Sequence, residues 1–331
     1  MAVAAASTRA ARLAKRLRAG DLDVAPEVVN LLESTAPGDL AEGRQLLSLL
    51  SPRALGGEPA GQIVGVTGPP GAGKSTLLAA LIRGLRARGA AGVAVLAVDP
   101  SSRLSGGALL GDRVRIALAD PDPKVFIRSL ASGGRFGGLA RGVREAAEAL
   151  AVAFPWVLIE TVGVGQAETE VAEVADTVCL VVQPASGDTL QFLKAGIMEV
   201  PDLFVVTKAD LAAQAKRTVL ELEAALRTLG KGEVPVVAVS SLPPPTGVDR
   251  LIEALEGRAR RLREGDGAAL RSRRREGRIL GALSSFSREH GERALRALGG
   301  ARKARRLLEG APADAGYPEL LELLERRLAA A

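Results

Sequence analysis

The chain is poor in cysteine, histidine and aromatic residues, and each shortage excludes a class of function. The one cysteine, Cys179, has no second cysteine with which to form an intramolecular disulfide, and the one histidine, His290, leaves too few ligands for a zinc or nickel site. Aromatic residues make up 2% of the chain, too few for a surface that stacks nucleic-acid bases. We therefore expect neither a thiol enzyme, nor a metal carrier, nor a nucleic-acid-binding protein.

Long hydrophobic runs are also missing. No window holds about eighteen consecutive uncharged apolar residues, the length that a membrane span requires. In Met1–Arg18 the arginines follow a run of alanines, which reverses the order found in a secretory signal. The composition, 47% hydrophobic and 25% charged, is that of a globular protein. We expect a cytoplasmic protein that does not contact membranes.

Positive charge is concentrated at one end of the chain. The net charge is +6, but Gly257–Ala331 alone carries +8, so the preceding part carries −2. Such an excess could bind nucleic acid or an acidic partner, or it could be the solvated face of a helix. No aromatic residue interrupts the basic run Arg271–Arg278. We favour the solvated helical face.

Hydrophobic patterning divides the chain into three predicted parts. Residues 1–60 contain two or three amphipathic helices, interrupted at Gly20, Pro26 and Pro37, and a linker begins at Ser51. Residues 61–265 alternate short apolar runs with longer helical patterns. Residues 266–331 show helical patterns alone, and the helices predicted there are Ala268–Glu289, Glu292–Leu308 and Pro318–Ala330.

Seven apolar runs in the central part predict β-strands. Runs that are apolar on both faces and separated by helical patterns are typical of a mostly parallel, doubly wound sheet with helices on both sides. We therefore predict an α/β fold that is flanked by helical segments. The seven runs are Ile63–Thr67, Val93–Asp99, Val125–Ser129, Val157–Thr161, Thr177–Gln183, Leu203–Thr207 and Val236–Ser240.

The first predicted strand leads directly into a P-loop motif of the form G-x-x-x-x-G-K-S, which is followed by a helical pattern. In this context the glycines let backbone N–H groups surround phosphates, and Lys74 reaches the β- and γ-phosphate oxygens. Ser75 would give its hydroxyl to Mg²⁺. The predicted phosphate-binding residues are Gly68, Pro69, Pro70, Gly71, Ala72, Gly73, Lys74, Ser75 and Thr76.

An acidic residue lies at the end of the fourth predicted strand. Glu160 would stand beside the P-loop, where its carboxylate can hold Mg²⁺ directly or through water. Gly163, three residues later, can direct its N–H at a γ-phosphate, as the glycine of D-x-x-G does in small GTPases. Glu160 takes the place of the usual aspartate.

Two further elements indicate guanine recognition. Thr207–Asp210 resembles the N/T-K-x-D element of GTPases, in which the carboxylate, here Asp210, accepts hydrogen bonds from N1–H and the exocyclic amine of guanine. The stem of Lys208 would lie along the base. Thr207 replaces the more common asparagine, and we expect this to loosen the bracing of the loop. Ser240, Ser241 and Leu242 resemble the S-A-x loop of GTPases, in which a backbone N–H faces guanine O6.

Several other segments have no counterpart in a generic GTPase and make the resemblance specific. The chain resembles the MeaB/ArgK family in the SIMIBI branch of P-loop GTPases, the GTPase chaperones of adenosylcobalamin-dependent acyl-CoA mutases, chiefly methylmalonyl-CoA mutase. The resemblance runs from Leu13 to the C-terminus and is strongest over Gly61–Asp210. Its motifs are GPPGAGKST, VDPSS, GD-R, ETVGVGQ-ETEV and G-MEV-D.

This resemblance implies a complete site. GTP or GDP and Mg²⁺ are the implied ligands, and the metal set would be Ser75, Asp99, Asp112 and Glu160. The implied catalytic residues are Lys74, Asp112, Glu160 and Gly163.

The resemblance also implies moving parts and partners. Leu104–Ile116 and Gly163–Glu170 would be switch loops, and the loop 184–194, with Lys194, would face the partner mutase. Slow GTP hydrolysis would gate cofactor loading on that mutase. The family further implies a homodimer through the C-terminal helices, which is compatible with an apolar stripe formed by Leu307, Leu308, Leu320, Leu321, Leu324 and Leu328.

The residues suggest three alternatives, of which the composition disfavours the second. A phosphotransferase could use the same P-loop, although it gives no reason for Asp210. A nickel-insertion GTPase of the same branch needs more histidine and cysteine than the chain has. A nucleotide-dependent binding module with negligible hydrolysis would carry the same motifs.

Overall fold

Seven strands form one sheet in the computed structural model, which describes residues 8–99, 121–131, 139, 142–161, 167–184 and 200–330. All pairings between the strands are parallel, and their order across the sheet is β3-β2-β4-β1-β5-β6-β7. The predicted α/β class is confirmed, and each predicted apolar run forms a strand. The strands are β1 Gln62–Thr67, β2 Val93–Asp99, β3 Val125–Ala131, β4 Trp156–Glu160, β5 Thr177–Val182, β6 Leu203–Val206 and β7 Val236–Ala238.

Helices lie before, between and after these strands. Before the sheet come α1 Arg9–Arg18, a short 3-10 helix Leu22–Val24, α2 Ala25–Glu33, α3 Pro37–Leu49 and α4 Pro52–Leu55. Within the α/β part are α5 Lys74–Ala87, α6 Val143–Leu150, α7 Ala167–Ala172, α8 Ala212–Thr228 and α9 Val248–Arg263. The C-terminal helices are α10 Ala268–Ala297, α11 Ala301–Glu309 and α12 Tyr317–Ala329. No helix of the described ranges combines the length and apolar character needed to cross a membrane.

Two predicted boundaries are wrong, and local chemistry explains both. The predicted linker contains α4, because the Ser51 hydroxyl caps its N-terminus and Gly56, at φ 77°, ends it in a left-handed conformation. The predicted helix over Glu292–Leu308 is divided, because consecutive Gly299 and Gly300 adopt φ values of 86° and 88°. The predicted break at Gly291 is confirmed, because its φ of 78° and ψ of 172° are not helical and kink α10 at this residue.

Different helices cover the two faces of the sheet. The helices before the sheet pack on one face together with α6, α7 and the three C-terminal helices, in one continuous hydrophobic core. The other face packs against α5 and α9. Helix α8 packs against β5 and β6, next to the edge strand β7. The first core includes residues from all three predicted parts. The division of the chain into three domains, with boundaries at residues 60 and 265, stays a prediction.

The leucine stripe of the C-terminal helices is buried inside the chain. Leu308 and Leu324 are inaccessible to solvent, and Leu320 and Leu321 are 3% exposed. The remaining two leucines of the stripe pack against the same core. Since these side chains already have partners in their own chain, the stripe does not support the predicted homodimer.

The basic run Arg271–Arg278 is not simply a solvated helical face, as the sequence favours. Arg274 pairs with Asp176, Arg278 pairs with Glu58, and all four side chains are at most 6% exposed. Arg273 binds a further carboxylate and the carbonyl oxygen of Ala175. Long-range ion pairs thus fix α10 to the amino end of the sheet, and they account for part of the C-terminal excess of positive charge.

Candidate nucleotide site

The P-loop follows the central strand β1 and lies at the carboxyl edge of the sheet, where ligands bind in folds of this kind. Gly68, Gly71 and Gly73 adopt φ values of 144°, 78° and 86°, which residues other than glycine rarely adopt. A Cβ atom on Gly68 would lie 2.1 Å from the carbonyl oxygen of Val181 in β5. Backbone conformation and crowding therefore both require glycine there.

Lys74 is the first residue of α5, and its side chain is 7% exposed. Its Nζ donates hydrogen bonds to the carbonyl oxygens of Gly68, at 2.7 Å, and Pro69, at 3.1 Å. The ammonium group thus lies inside the loop, beside the positive end of the α5 dipole. An anion bound in the loop would meet both the Lys74 ammonium group and backbone N–H donors.

Ser75 and Glu160, two of the residues predicted to bind Mg²⁺, lie in contact beside the P-loop. The parallel register of β1 and β4 pairs Val66 with Glu160 and brings this carboxylate beside the P-loop. The Ser75 hydroxyl donates a 2.7 Å hydrogen bond to Glu160 Oε1, and Glu160 is 4% exposed. A hydroxyl and a carboxylate are hard oxygen ligands of the kind that Mg²⁺ takes, so the donor set fits this ion.

Three threonine hydroxyls connect strand ends at this edge. Thr161 donates to Thr67 at 2.8 Å, which ties the end of β4 to the end of β1. Thr207 Oγ1 lies 2.6 Å from the carbonyl oxygen of Ala72 in the P-loop and 3.1 Å from that of Val182. Thr207 therefore braces the P-loop directly through its hydroxyl, and the expected loosening relative to asparagine stays a prediction.

The predicted guanine-binding residues come together beyond β6 and β7. Asp210 Oδ1 accepts a 2.8 Å hydrogen bond from the Ser240 hydroxyl, and the Ser240 backbone forms a bridge with Thr246. Lys208 adopts φ 52°, and its Nζ donates to Gln183 Oε1 at 2.5 Å. Asp210 is exposed and can accept further hydrogen bonds. Of the rest of the predicted loop, Ser241 is half-buried and Leu242 is 59% exposed.

Part of the predicted site lies outside the described residues. This holds for Asp112, Gly163, Lys194 and the first switch loop, and for most of the other two loops. The backbone of Asp99 ends β2, with β4 between it and the P-loop strand, but its side chain is not described. The roles given to these residues stay predictions.

Sequence reasoning missed Thr67, Thr161 and Gln183 as parts of the site. Each is a polar residue at or just beyond the carboxyl end of an apolar strand. The carboxyl ends of parallel strands share one edge of the sheet. A search for every polar residue at such strand ends would have found all three.

The geometry agrees with a comparison to known families. The sequence profile described as "Methylmalonyl Co-A mutase-associated GTPase MeaB" matches residues 25–290. The chain belongs to the MeaB family. The match includes the P-loop, Glu160, Asp210 and Ser240, and it confirms the resemblance drawn from the motifs.

Relatives of known sequence are similar over about two thirds of this MeaB family member. A Pyrococcus abyssi protein with a provisional GTPase name is 45% identical over 215 residues, 65% of this chain and 63% of that protein. A Mycobacterium bovis protein, also provisionally named a GTPase, is 41% identical over 237 residues, 70% and 69% of the two chains. The mitochondrial methylmalonic aciduria type A homolog of Caenorhabditis elegans is 40% identical over 225 residues, 65% and 56%. The matches thus span less than two thirds of the first and third relatives.

A solved structure is similar over nearly the whole chain. The crystal structure of a protein described as an LAO/AO transport system kinase is 27% identical, with a TM-score of 0.66, and the superposition covers 97% of this chain and 96% of that one. The predicted α/β fold with helices before and after it is therefore shared with this relative.

Proposed function

We propose that the protein is a GTPase that converts GTP to GDP and phosphate. The observation that carries this proposal is the placement of Lys74, the Ser75–Glu160 pair and the Asp210–Ser240 pair along one edge of a parallel sheet. Along this edge Glu160 follows β4, the P-loop follows β1 and Asp210 follows β6. A metal ion, the phosphates and guanine would bind in that order. Membership of the MeaB family supports the same proposal.

Catalysis would consist mainly of positioning and charge stabilisation. Lys74 and the backbone N–H groups of Gly71–Thr76 would bind the β- and γ-phosphates and counter the charge that develops on them. Ser75 and Glu160 would hold Mg²⁺, which when bound neutralises phosphate charge. Thr207 would keep the loop in its conformation through Ala72. Asp210 would select guanine, because adenine lacks the N1–H and exocyclic amine pair of donors that guanine offers to the carboxylate.

The proposed partner is an adenosylcobalamin-dependent acyl-CoA mutase of the methylmalonyl-CoA mutase type. The description of the family and the name of the Caenorhabditis elegans relative support this choice. The difference between the GTP and GDP states would gate loading or protection of the cobalamin cofactor. A homodimer remains part of the proposal on family grounds alone.

The kinase name of the structural relative favours a second candidate, a phosphotransferase that uses the same P-loop. GTP labelled at the γ-phosphate separates the two activities. A GTPase releases all label as inorganic phosphate, whereas a phosphotransferase leaves label on protein or on a small acceptor. A single-turnover measurement with and without the mutase identifies the third possibility, a binding module with negligible hydrolysis.

The test of the main proposal is Lys74→Ala, with exposed Lys216→Ala as the matched control. We expect the first substitution to abolish GTP hydrolysis while the fold persists, and the second to leave turnover unchanged. Circular dichroism would check the fold. Turnover at the wild-type rate in Lys74→Ala would contradict the assignment of the phosphate site.

A further inference from the structure

Helix α7 and the segment after it lie between the nucleotide strand and the C-terminal helices. A Cβ atom on Gly65 of β1 would lie 2.5 Å from Cγ2 of Val171 in α7. On the opposite side, a Cβ atom on Gly277 of α10 would lie 2.0 Å from the carbonyl oxygen of Glu173. The two glycines therefore allow a single layer of chain to pack directly against both β1 and α10.

Arg144 of α6 joins this layer to α10. Its Nη1 donates to the carbonyl oxygen of Glu173 at 3.0 Å and to that of Gly277 at 2.8 Å, while Nη2 binds the Glu173 carboxylate at 3.1 Å. The Arg144 side chain is 11% exposed. Gly281 leaves the room it needs, because a Cβ atom there would lie 2.4 Å from Arg144 Nε.

Helix α7 follows the proposed metal site in the chain and packs on β1, the strand that leads into the P-loop. Thr161, which follows Glu160, is fixed to Thr67 of β1, and α7 begins six residues later. Glu170 of α7 accepts a 2.7 Å hydrogen bond from the backbone N–H of Leu139. A displacement of α7 would alter the position of Glu173, to which Arg144 is hydrogen-bonded and against which α10 packs at Gly277.

We propose that Arg144 couples helix α7 and Glu173 to helix α10, so that GTP and GDP stabilise α10 to different degrees. The inference rests on the proposed function, because it requires both nucleotides to bind at the P-loop. Coupling between two sites is reciprocal, so a molecule that binds α10 would change nucleotide affinity by the same factor. Arg144 is a positioning residue, since it acts through Glu173 and touches no proposed nucleotide group.

Amide hydrogen exchange in the full-length protein tests the coupling. Exchange over residues 277–290 is measured with GDP and with a non-hydrolysable GTP analogue. Protection in a helix reports the free energy of its local opening. In the wild type we expect the two nucleotides to change this exchange rate by about fivefold or more, the lower range for coupled sites.

Arg144→Met keeps most of the side-chain volume and removes the donors. We expect it to abolish the nucleotide dependence of α10 exchange, while the affinity for each nucleotide changes less than about threefold, since Arg144 lies outside the P-loop. Arg144→Lys, which retains the charge, should preserve part of the difference and serves where the methionine variant does not fold. The control is Arg217→Met, which breaks an exposed pair with Glu221 on α8.

A second variant tests the packing itself. Gly277→Ala should abolish the same difference, because the added methyl group would collide with the backbone of Glu173. Gly257→Ala on α9 is the control, since no atom lies closer than 3.6 Å to its added Cβ. Equal exchange in α10 with the two nucleotides in the wild type would overturn the inference, and so would a difference that persists in Arg144→Met.

Parallel turnover measurements separate this inference from the proposed function. A wild-type protein that binds GTP without hydrolysing it would contradict the GTPase proposal, and the exchange comparison would still decide the coupling. A GTPase with nucleotide-independent α10 exchange would contradict the coupling alone. Failure to bind either nucleotide would overturn both.

Discussion

Arg274 donates two hydrogen bonds to Asp176, at 2.8 and 2.7 Å, at the end of the sheet opposite the nucleotide site. Asp176 is fully buried and also accepts a hydrogen bond from the backbone N–H of Ile63 at the start of β1. The remaining Arg274 donors bind the carbonyl oxygens of Pro59 and Gly61. One guanidinium group thus joins α10, β1 and the chain before β5.

Removing this guanidinium group should destabilise the whole protein. Arg274→Met leaves the Asp176 carboxylate buried without its partner, and loss of one member of a buried pair costs about 3–5 kcal/mol. Arg271→Met, which breaks an exposed pair with Asp266, should change the free energy of unfolding by less than about 1 kcal/mol. Urea unfolding of both variants provides the measurement. Equal stabilities would show that the buried pair is not required.

A neighbouring carboxyl group should make stability depend on pH. Glu148 shares the lining of a 30 Å³ cavity with Glu58 and Arg278. Burial raises the pKa of Glu148 above its usual 4.5, although Arg278 and Arg144 act in the opposite direction. Because the folded state binds this proton more tightly than the unfolded state does, ionisation of Glu148 costs stability, and the cost grows as pH rises above about 4.5.

Glu148→Gln should therefore unfold at a higher temperature than the wild type at pH 7. The difference should shrink as pH falls and disappear near pH 4, where the wild-type carboxyl group is protonated in both states. Exposed Glu253→Gln is the control. Thermal unfolding followed at several pH values measures the effect, and a variant less stable than wild type at pH 7 would show that Glu148 is needed in its ionised form.

The sequence predicts the sheet better than it predicts the C-terminal helices. β1 and β5 are buried along their whole length, so their apolar runs carry a strong local signal. The P-loop needs glycine at defined backbone conformations, which ties its motif to one structure. The partners of Arg274 and Arg278 lie far away in sequence, at Asp176 and Glu58. Local patterns contain no information on such contacts, and a buried arginine resembles an exposed one.

Contacts within the candidate site also differ in whether the sequence could predict them. The Ser75–Glu160 contact could be predicted because each residue belongs to a motif. The contact between Thr207 and Ala72 could not, because a threonine in place of asparagine gives no indication of where its hydroxyl points.

Removing the charge of Glu160 should weaken the proposed metal site. Glu160→Gln keeps the shape of the side chain but not its carboxylate. We expect the Mg²⁺ concentration for half-maximal GTP turnover to rise by about 10- to 100-fold, the range for loss of a group that supports a metal ligand. Glu221→Gln, at an exposed position, is the control. The measurement is GTP turnover over a range of Mg²⁺ concentrations, and an unchanged requirement would exclude Glu160 from the metal site.

Base selection provides the last prediction. Asp210 is held by Ser240 through Oδ1, which fixes the carboxylate beside the loop that follows β7. A site that hydrogen-bonds a particular group rejects an analogue without it by up to about 10⁴-fold. We therefore expect the wild type to prefer GTP strongly over ATP.

Asp210→Asn should remove this preference, because an amide cannot accept both guanine donors through two oxygens. Asp249→Asn, at an exposed position paired with Arg88, should retain it. Competition between fluorescent GDP and unlabelled GTP or ATP measures the ratio directly. Comparable affinities of the wild type for GTP and ATP would contradict the assignment of Asp210. A preference that survives in Asp210→Asn would instead assign base selection to another residue, since this variant differs from the wild type only in the Asp210 carboxylate.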